Sequence, residues 1–211
     1  ISAVLSKELA AASRILAAQG VVDAFGHVSS RDPHDPALFH MPRAMAPALV
    51  TPDDIVTYDL SGEAIDLGAP KGFLERYIHS EIYRARPDVG AVVHSHSPSV
   101  IPFGLVGTGM RSMFHNAAFV GTEVPVFDIR DGFGQTDMLV CDCDRGEALA
   151  DVLGQANVVL MRAHGSVACG PTLEIAVFRA VYTEVNARIQ HWTQALARSE
   201  EHTSELQSPD H

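Results

Sequence analysis

An apolar segment that ends in a His-x-His pair constrains this chain more than any other feature of its sequence. The residues from Val89 to Val93 are small, apolar and mostly β-branched, and His94-Ser95-His96 follows directly. Such a run is typical of a buried β-strand. Because side chains alternate between the two faces of a strand, His94 and His96 are predicted to point to the same side at its carboxyl end. Two imidazoles in that arrangement can bind one metal ion.

The rest of the chain mixes helical and extended patterns. Apolar residues three and four apart predict helices over residues 2–18, 73–86, 145–154 and about 172–197. Short apolar runs bounded by turn residues predict strands over residues 25–31, 38–41, 55–60, 64–66, 89–95, 124–129, 157–161 and 166–169. Ser97 is predicted to cap a further helix, with Pro98 at its first position. This order predicts a mixed α/β domain with helices packed around a central sheet.

Length and charge limit the possible classes of protein. A chain of 211 residues that is 46% hydrophobic can form one domain with a sizeable core, which we expect over residues 1–197. It contains no apolar run long enough for a membrane span and no secretion signal, and its three cysteines are an odd number. We therefore expect a cytoplasmic protein with reduced thiols. The net charge of −11 argues against nucleic-acid or membrane partners.

The two ends of the chain differ from the rest. Residues 198–211 have no apolar periodicity and resemble the translation of a sequencing-library adapter, so we predict a non-native tail. A natural disordered tail is the alternative. The chain also begins without methionine, inside a predicted helix, so we expect a fragment cut at both ends.

Two more patterns carry side chains that can bind metals or move protons. Glu75 and His79 are predicted to lie one turn apart on one face of the helix over residues 73–86. His164-Gly165 stands between two predicted strands. A histidine at a strand end is more often a hydrogen-bonded core residue than a ligand, and His79 in particular could be a buried structural histidine. His34, His40 and His191 are expected to be exposed.

Taken in order, these motifs resemble the class II aldolase/adducin family, and the likeness extends from residue 5 to residue 195. The family pattern is a Glu-x-x-x-His helix, then Arg-Pro-Asp, an apolar strand into His-x-His, and a later His-Gly before a strand and a long helix. The matching residues are Glu75 and His79, Arg86-Pro87-Asp88, His94 and His96, and His164-Gly165. His-x-His alone is a weak signal, but the ordered set is a strong one.

The resemblance implies a three-layer α/β/α sandwich around a central mixed sheet, commonly assembled as a homotetramer with its sites at subunit interfaces. It also implies one divalent metal ion held by His94, His96 and His164. Glu75 would lie close enough to bind the free metal or to move protons. Zinc or manganese is expected first, and cobalt or iron also suits such donors.

Departures from the family pattern indicate which branch this chain resembles. Sugar-phosphate aldolases of the family bind phosphate with a Gly-Thr-x-Gly-Asn loop and a Ser-Gly turn, but residues 23–27 and 41–47 lack those polar groups. Asn116 stands where the aldolases carry a catalytic tyrosine, and an amide cannot act as a general acid. His27, Arg43 and the Phe-His-Asn stretch ending at Asn116 resemble a decarboxylase branch. Its members act on hydroxylated aromatic, pyridine or muconic-semialdehyde carboxylates.

The expected function is therefore a metal-dependent carbon–carbon lyase that decarboxylates such a small-molecule carboxylate through a metal-stabilised enolate. The candidate catalytic residues, which would move or relay protons, are Glu75, His79 and His115. The candidate substrate-binding residues are His27, Arg43 and Asn116. Arg43 could clamp a second carboxylate or form an ordinary surface ion pair.

Two other functions stay open. One is an aldolase or epimerase that acts on a small hydroxy-aldehyde or sugar phosphate. The other is a non-catalytic scaffold, as in the adducin branch, which keeps the fold but loses the ligands. The intact set of Glu75, His94, His96 and His164 argues against a scaffold.

Overall fold

The computed structural model describes residues 1–206, with side chains through residue 198. Its helices are α1 (Ala3–Ala18), α2 (Arg76–Ala85), α3 (Ile129–Phe133), α4 (Cys143–Leu153) and α5 (Leu173–Leu206). Its strands are β1 (His27–Arg31), β2 (Leu38–Pro42), β3 (Ile55–Asp59), β4 (Ala91–Ser95), β5 (Val126–Phe127), β6 (Val158–Met161) and β7 (Gly165–Gly170). Short 3₁₀ turns cover Pro47–Leu49, Pro52–Asp54, Ile101–Gly104 and His115–Val120.

The seven strands form one mixed sheet in the order β3-β2-β1-β4-β7-β6-β5. All neighbours are antiparallel except β5 and β6, which are parallel. Strand β4 lies at the centre and is buried along its whole length, which explains why its sequence is almost continuously apolar. Its neighbours β1 and β7 pair with it directly, so residues from all three strands meet at the carboxyl end of β4.

Helices cover both faces of the sheet. On one face α1 and α5 pack on side chains that include Leu9, Leu16, Val93, Leu160 and Ala176. On the other face α2 and α4 pack together over a second set that includes Ile78, Ile82, Val92, Leu149 and Val159. Val92 and Val93 belong to opposite sets, as alternation along a strand requires. The predicted α/β/α arrangement around a mixed sheet is therefore confirmed.

Several predicted elements differ in extent. Helix α2 begins at Arg76, so Glu75 lies in the turn before the helix. The predicted strand over residues 64–66 forms only an isolated bridge between Tyr58 and Ala64. Helix α5 continues to Leu206, beyond the expected end at residue 197. The predicted non-native tail lies partly in this helix, and its residues 207–211 lie outside the described residues.

Two predictions about polar side chains are wrong. Ser97 does not cap a helix, because its hydroxyl donates a hydrogen bond to the buried carboxylate of Glu184 in α5. His40 is fully buried rather than exposed. Its ring bonds Thr57 at 2.9 Å and the carboxylate of Asp32 at 2.8 Å, and these partners satisfy both nitrogens inside the fold.

Two further histidines complete the set that was expected to be exposed. His34 is exposed, and His191 is half-buried with its ring bonded to the carbonyl of Ser99.

Within the part of the chain that the structure describes, no helix has the length and apolar character needed to cross a membrane.

Candidate metal centre

Four of the predicted site residues converge at the carboxyl end of β4. The candidate ligand atoms of Glu75, His94, His96 and His164 all lie within 4.8 Å of one another. The Nε2 atoms of His94 and His164 are each 3.0 Å from Nε2 of His96. Oε2 of Glu75 is 3.4 Å from Nε2 of both His94 and His164. We call these four residues the metal cluster.

The sheet explains why residues so far apart in sequence meet. Strand β4 runs antiparallel to β7, and Ser95 at the end of β4 pairs with Ser166 near the start of β7. His164 occupies the turn that joins β6 to β7, directly before Gly165. The turn therefore projects its imidazole over the end of β4, where His94 and His96 emerge.

Gly165 allows this close approach. A Cβ atom at this position would lie 2.1 Å from the carbonyl oxygen of Ser95. No side chain larger than hydrogen fits there unless the backbone shifts. The glycine after His164 thus lets β7 lie close to the end of β4, where the other two candidate histidine ligands, His94 and His96, are located.

The outer nitrogens of two histidines determine which ring atoms face the cluster. Nδ1 of His94 lies 3.1 Å from the carbonyl of Ser166, and Nδ1 of His164 lies 3.0 Å from the carbonyl of Met138. A carbonyl oxygen can only accept, so Nδ1 carries the proton in each ring and Nε2 presents a lone pair. Lone pairs beside a carboxylate repel one another unless a cation lies between them, so the donor set fits a divalent metal ion.

Electrostatics support the same conclusion. Burial, together with the neighbouring His94 and His164, lowers the pKa of His96 to about 4, so its ring is neutral near pH 7. Oε2 of Glu75 faces the imidazoles of His94 and His164. The other oxygen of Glu75 accepts a hydrogen bond from the backbone N–H of Val140 at 3.1 Å. Imidazole nitrogens and one oriented carboxylate are donors that zinc, manganese, cobalt and iron(II) accept.

A cavity of about 400 Å³ opens beside the metal cluster. Glu75, His96 and His27 form its polar end, and most of the remaining wall is apolar, with Ala24, Phe25, Met45, Ala46, Phe73, Leu74 and Leu139. Lys71 is the one cationic side chain among the described residues that line it. The cavity therefore combines a polar end at the cluster, an apolar wall and one cationic side chain, Lys71.

Two histidines outside the cluster occupy different depths. His27 lines the cavity, with its ring centroid 4.6 Å from that of Phe73 and 5.1 Å from that of His94. His79 is fully buried behind it, and Nε2 of His79 lies 2.6 Å from Nδ1 of His27. Burial lowers the pKa of His79 to about 3. Among the described residues, His79 does not line the cavity itself but bonds His27, which does.

The structure places the other three predicted residues away from the cavity wall. Arg43 donates from Nε to Asp54 at 2.7 Å, in a half-exposed ion pair. His115 and Asn116 begin the 3₁₀ turn His115–Val120, and His115 is exposed. None of the three belongs to the described lining of this cavity.

Sequence reasoning missed Lys71 because it lies in an irregular segment outside any motif. That segment is brought to the cavity by a hydrogen bond from the backbone N–H of Ala44 to the carbonyl of Lys71, at 2.9 Å. Ala44, next to the predicted Arg43, therefore lines the cavity, and Lys71 is the cation that lines it beside Ala44. A lysine close to Ala44 in the fold could be found only from the structure.

Comparisons with known proteins agree with this geometry. The profile of the Class II Aldolase and Adducin N-terminal domain matches residues 7–191. Decarboxylase tropJ of Talaromyces stipitatus is 38% identical over 189 residues, which are 83% of this chain and 71% of the relative. The 3,4-dihydroxyphthalate decarboxylase of Arthrobacter keyseri is 30% identical over 191 residues, which are 85% of this chain and 74% of the relative.

Solved structures show the same fold. L-fuculose 1-phosphate aldolase from Glaciozyma antarctica PI12 superposes with a TM-score of 0.76 at 26% identity. The superposition covers 92% of this chain and 74% of that one. This superposition confirms the expected fold, in addition to the arrangement of the sheet and helices described above.

Proposed function

This chain belongs to the class II aldolase and adducin family, and from that membership we propose that it is a divalent-metal-dependent decarboxylase. Its substrate would be a hydroxylated aromatic, pyridine or semialdehyde carboxylate. One observation carries the proposal: the metal cluster opens into an apolar cavity that has a cation on its wall. The similarity to two decarboxylases supports a lyase of this kind.

The residues of the cluster would hold the ion. His94, His96 and His164 supply three neutral nitrogens, which leave the ion its full charge and open coordination positions. A divalent ion held there would supply Lewis-acid chemistry, which draws electrons toward a substrate oxygen as CO₂ leaves. Glu75 is oriented by Val140 and can either complete the coordination or carry a proton.

The remaining residues would orient the substrate and complete the proton balance. Phe73 and Leu139 pack against the ring and exclude water, and Lys71 pairs with a second carboxylate. When the bond to the departing carboxylate breaks, its electron pair stays on the ring carbon, and that carbon must then take up a proton. That proton comes from solvent, and Glu75 is the group among the lining residues best placed to relay it: its carboxylate takes up a proton from water and passes it to the carbon.

A metal-removal experiment tests the proposal. Protein treated with EDTA is dialysed, supplied with Mn²⁺ or Zn²⁺, and given 3,4-dihydroxyphthalate while CO₂ release is measured. Activity is expected to disappear with the metal and to return with at least one ion. His94→Ala should lose both bound metal and activity, whereas the matched variant of an exposed histidine, His34→Ala, should keep both. Full turnover by the metal-stripped protein or by His94→Ala would refute a metal mechanism.

An aldolase is the second candidate, because the L-fuculose 1-phosphate aldolase structure shares the fold at 26% identity. Lys71 could also pair with a phosphate. The wall between Ala24 and Gly26 offers no hydroxyl or amide side chain to a phosphate group, however. Aldehyde release from L-fuculose 1-phosphate, without CO₂ release from the carboxylate, would favour this alternative.

The cellular setting is part of the same proposal. Cys141, Cys143 and Cys169 are free thiols, in keeping with a cytoplasmic protein. A homo-oligomer, expected to be a tetramer, would bring His115 and Asn116 of one copy toward the cavity of another. A small-molecule carboxylate remains the proposed partner, without nucleic acid or membrane.

A further inference from the structure

A chain of four hydrogen-bonded side chains leads from the cavity into the core behind the metal cluster. Nδ1 of His27 lies 2.6 Å from Nε2 of His79, and Nδ1 of His79 lies 2.6 Å from the hydroxyl of Ser29. The hydroxyl of Ser29 lies 2.6 Å from that of Tyr83. All four side chains are buried, and His27 alone of the four lines the cavity. We call these residues the buried chain.

The backbone sets this register. His27 and Ser29 are two residues apart in β1, so they share a face of the sheet and lie about 7 Å apart along the strand. His79 and Tyr83 are four residues apart in α2, so they share a face of the helix and lie about 6 Å apart along its axis. Because the two spacings nearly match, each helical side chain meets a strand side chain.

The direction of the hydrogen bonds can be followed from the inner end. Among the described residues, the hydroxyl of Tyr83 has the hydroxyl of Ser29 as its hydrogen-bond partner. A phenol proton buried in the core needs an acceptor. The Tyr83 proton then has the Ser29 oxygen as its acceptor, so Ser29 donates its own proton to Nδ1 of His79. His79 carries its proton on Nε2 and donates it to Nδ1 of His27.

The opposite direction of the hydrogen bonds would leave the Tyr83 hydroxyl, at the inner end of the buried chain, without an acceptor among the residues that the structure describes. If His27 donated from Nδ1, each later bond would reverse and Tyr83 would receive a proton from Ser29. The Tyr83 hydroxyl would then have no acceptor among the described residues, and a buried donor without a partner is costly.

The free nitrogen of His27 faces the cavity. No hydrogen bond involves Nε2 of His27 among the described residues. It is also not one of the buried polar atoms without a partner, which are the Tyr58 hydroxyl and Oε1 of Glu81. Nε2 is therefore accessible from the cavity that His27 lines.

We propose that Tyr83, Ser29 and His79 are positioning residues that lock His27 in the neutral tautomer protonated at Nε2. His27 then offers the substrate a fixed N–H donor, suited to a carboxylate or phenolate oxygen, instead of a lone pair for the metal. The tautomer lock itself is independent of the reaction, whereas the identity of the acceptor rests on the proposed decarboxylase function. It gives His79 a role that does not require His79 to touch the substrate.

Nitrogen NMR tests the lock directly. Protein labelled with ¹⁵N-histidine is studied by solid-state NMR in the EDTA-treated and Zn²⁺-loaded forms, and the difference from His27→Gln identifies the signals of His27 and of its neighbour His79. Both rings are expected to carry one proton, on Nε2. Ser29→Ala should mix or reverse the tautomers. Ser30→Ala is the matched control, because the Ser30 hydroxyl bonds only backbone carbonyls and it should change nothing.

A binding experiment tests the consequence for the ligand. Zn²⁺-loaded protein is titrated with 3,4-dihydroxybenzoate in a calorimeter. Loss of one oriented donor to an anionic oxygen should weaken binding about tenfold in His27→Leu and in Ser29→Ala. His27→Gln, whose amide N–H can replace the donor, should recover much of the affinity.

Each outcome separates the two claims. A proton on Nδ1 of His27, or tautomers that Ser29→Ala leaves unchanged, would overturn the lock even if the protein releases CO₂. Equal affinities of His27→Gln and His27→Leu for the ligand would overturn the donor role. A confirmed lock in a protein that never releases CO₂ would instead reject the proposed function alone.

Discussion

At the scale of single residues, the histidines of this site differ in which ring nitrogen is committed to the protein. His94 and His164 donate from Nδ1 to backbone carbonyls and present lone pairs, which suits a metal. His27 accepts at Nδ1 in the inferred chain and presents an N–H, which suits a substrate oxygen. The neighbours of an imidazole, rather than its distance from the cluster, therefore decide between ligand and donor.

Substitutions of Lys71 and of Arg43 are expected to differ in their effect on KM. Lys71→Met should raise KM for 3,4-dihydroxyphthalate about five- to tenfold with little change in kcat, because it would remove the proposed charge-assisted contact to the second carboxylate of the substrate. Arg43→Ala should change KM less, because Arg43 is engaged with Asp54 outside the cavity wall. Steady-state kinetics of the two variants decide between the cations. A larger KM effect in Arg43→Ala would restore the residue that the sequence indicated.

His79 makes the stability of the protein depend on pH. Its pKa is about 3 in the fold and near 6.5 in an unfolded chain. The unfolded chain therefore binds a proton that the folded chain excludes, so the free energy of unfolding falls as the pH drops from about 6.5 toward 3. Urea unfolding of EDTA-treated protein at about pH 7 and pH 5 should show a smaller loss in His79→Gln than in wild type. The exposed-site control His34→Gln should retain the wild-type loss, and an equal loss in all three proteins would contradict this account.

At the scale of elements, the sequence predicted the features that depend on interactions between neighbouring residues. The β-branched run into His94 and the amphipathic helices were found because their periodicity is written in neighbouring residues. The failures concern partners distant in sequence. The Ser97 hydroxyl bonds Glu184, 87 residues away, instead of capping its own segment. The burial of His40 depends on Asp32 and Thr57, and the order of the strands depends on pairings that no local pattern records.

The same distinction between local and distant partners applies to the residues of the candidate site. The metal cluster could be predicted because its residues stand in an ordered motif at the ends of predicted elements. The roles of Lys71 and Tyr83 could not be predicted. The approach of a side chain to a cavity and the register between a helix and a strand both depend on tertiary packing. A sequence therefore indicates the candidate ligands of such a site more readily than its walls.

Gly165 should be the most sensitive glycine of the site. The Cβ of Gly165→Ala would clash with the carbonyl of Ser95 at the junction of β4 and β7 and force the strands apart. We expect a loss of about 2–4 kcal/mol in the free energy of unfolding and weaker metal binding, because His164 would move with its neighbour. Urea unfolding and metal content by mass spectrometry are the measurements.

Gly107 provides the matched control for Gly165. A Cβ at Gly107 would meet no atom within 4 Å. Gly107→Ala should therefore leave both stability and metal content near the wild-type values. If Gly165→Ala were as harmless as Gly107→Ala, the close approach of the strands would not be what holds His164 in place.

At the scale of the whole molecule, α5 connects the site to the segment that leads to His115. Ser97, next to the candidate ligand His96, bonds Glu184 of this helix. Further along, the buried amides of Asn186 and Gln190 hold the segment before His115 by paired backbone hydrogen bonds to Gly109, Arg111 and Met113, at 2.8–3.1 Å. The same helix therefore braces the ligand strand and fixes where His115 emerges.

That position has a consequence for the assembled protein. His115 is exposed and does not belong to the described lining of the cavity of its own chain. If His115 acts in the reaction, as its motif predicts, it acts on the cavity of a neighbouring copy. The proposed oligomer would then build each site from two chains.

Mixed oligomers test this arrangement. His94→Ala and His115→Ala should each be nearly inactive alone. Co-expressed in equal amounts, they should recover activity in about a quarter of the sites, since half of the cavities keep His94 and half of their neighbours supply His115. His94→Ala mixed with His96→Ala is the control that cannot complement, because both changes fall in the same cluster. If exchange of subunits is demonstrated by mass spectrometry and the first mixture still stays inactive, His115 does not act across an interface.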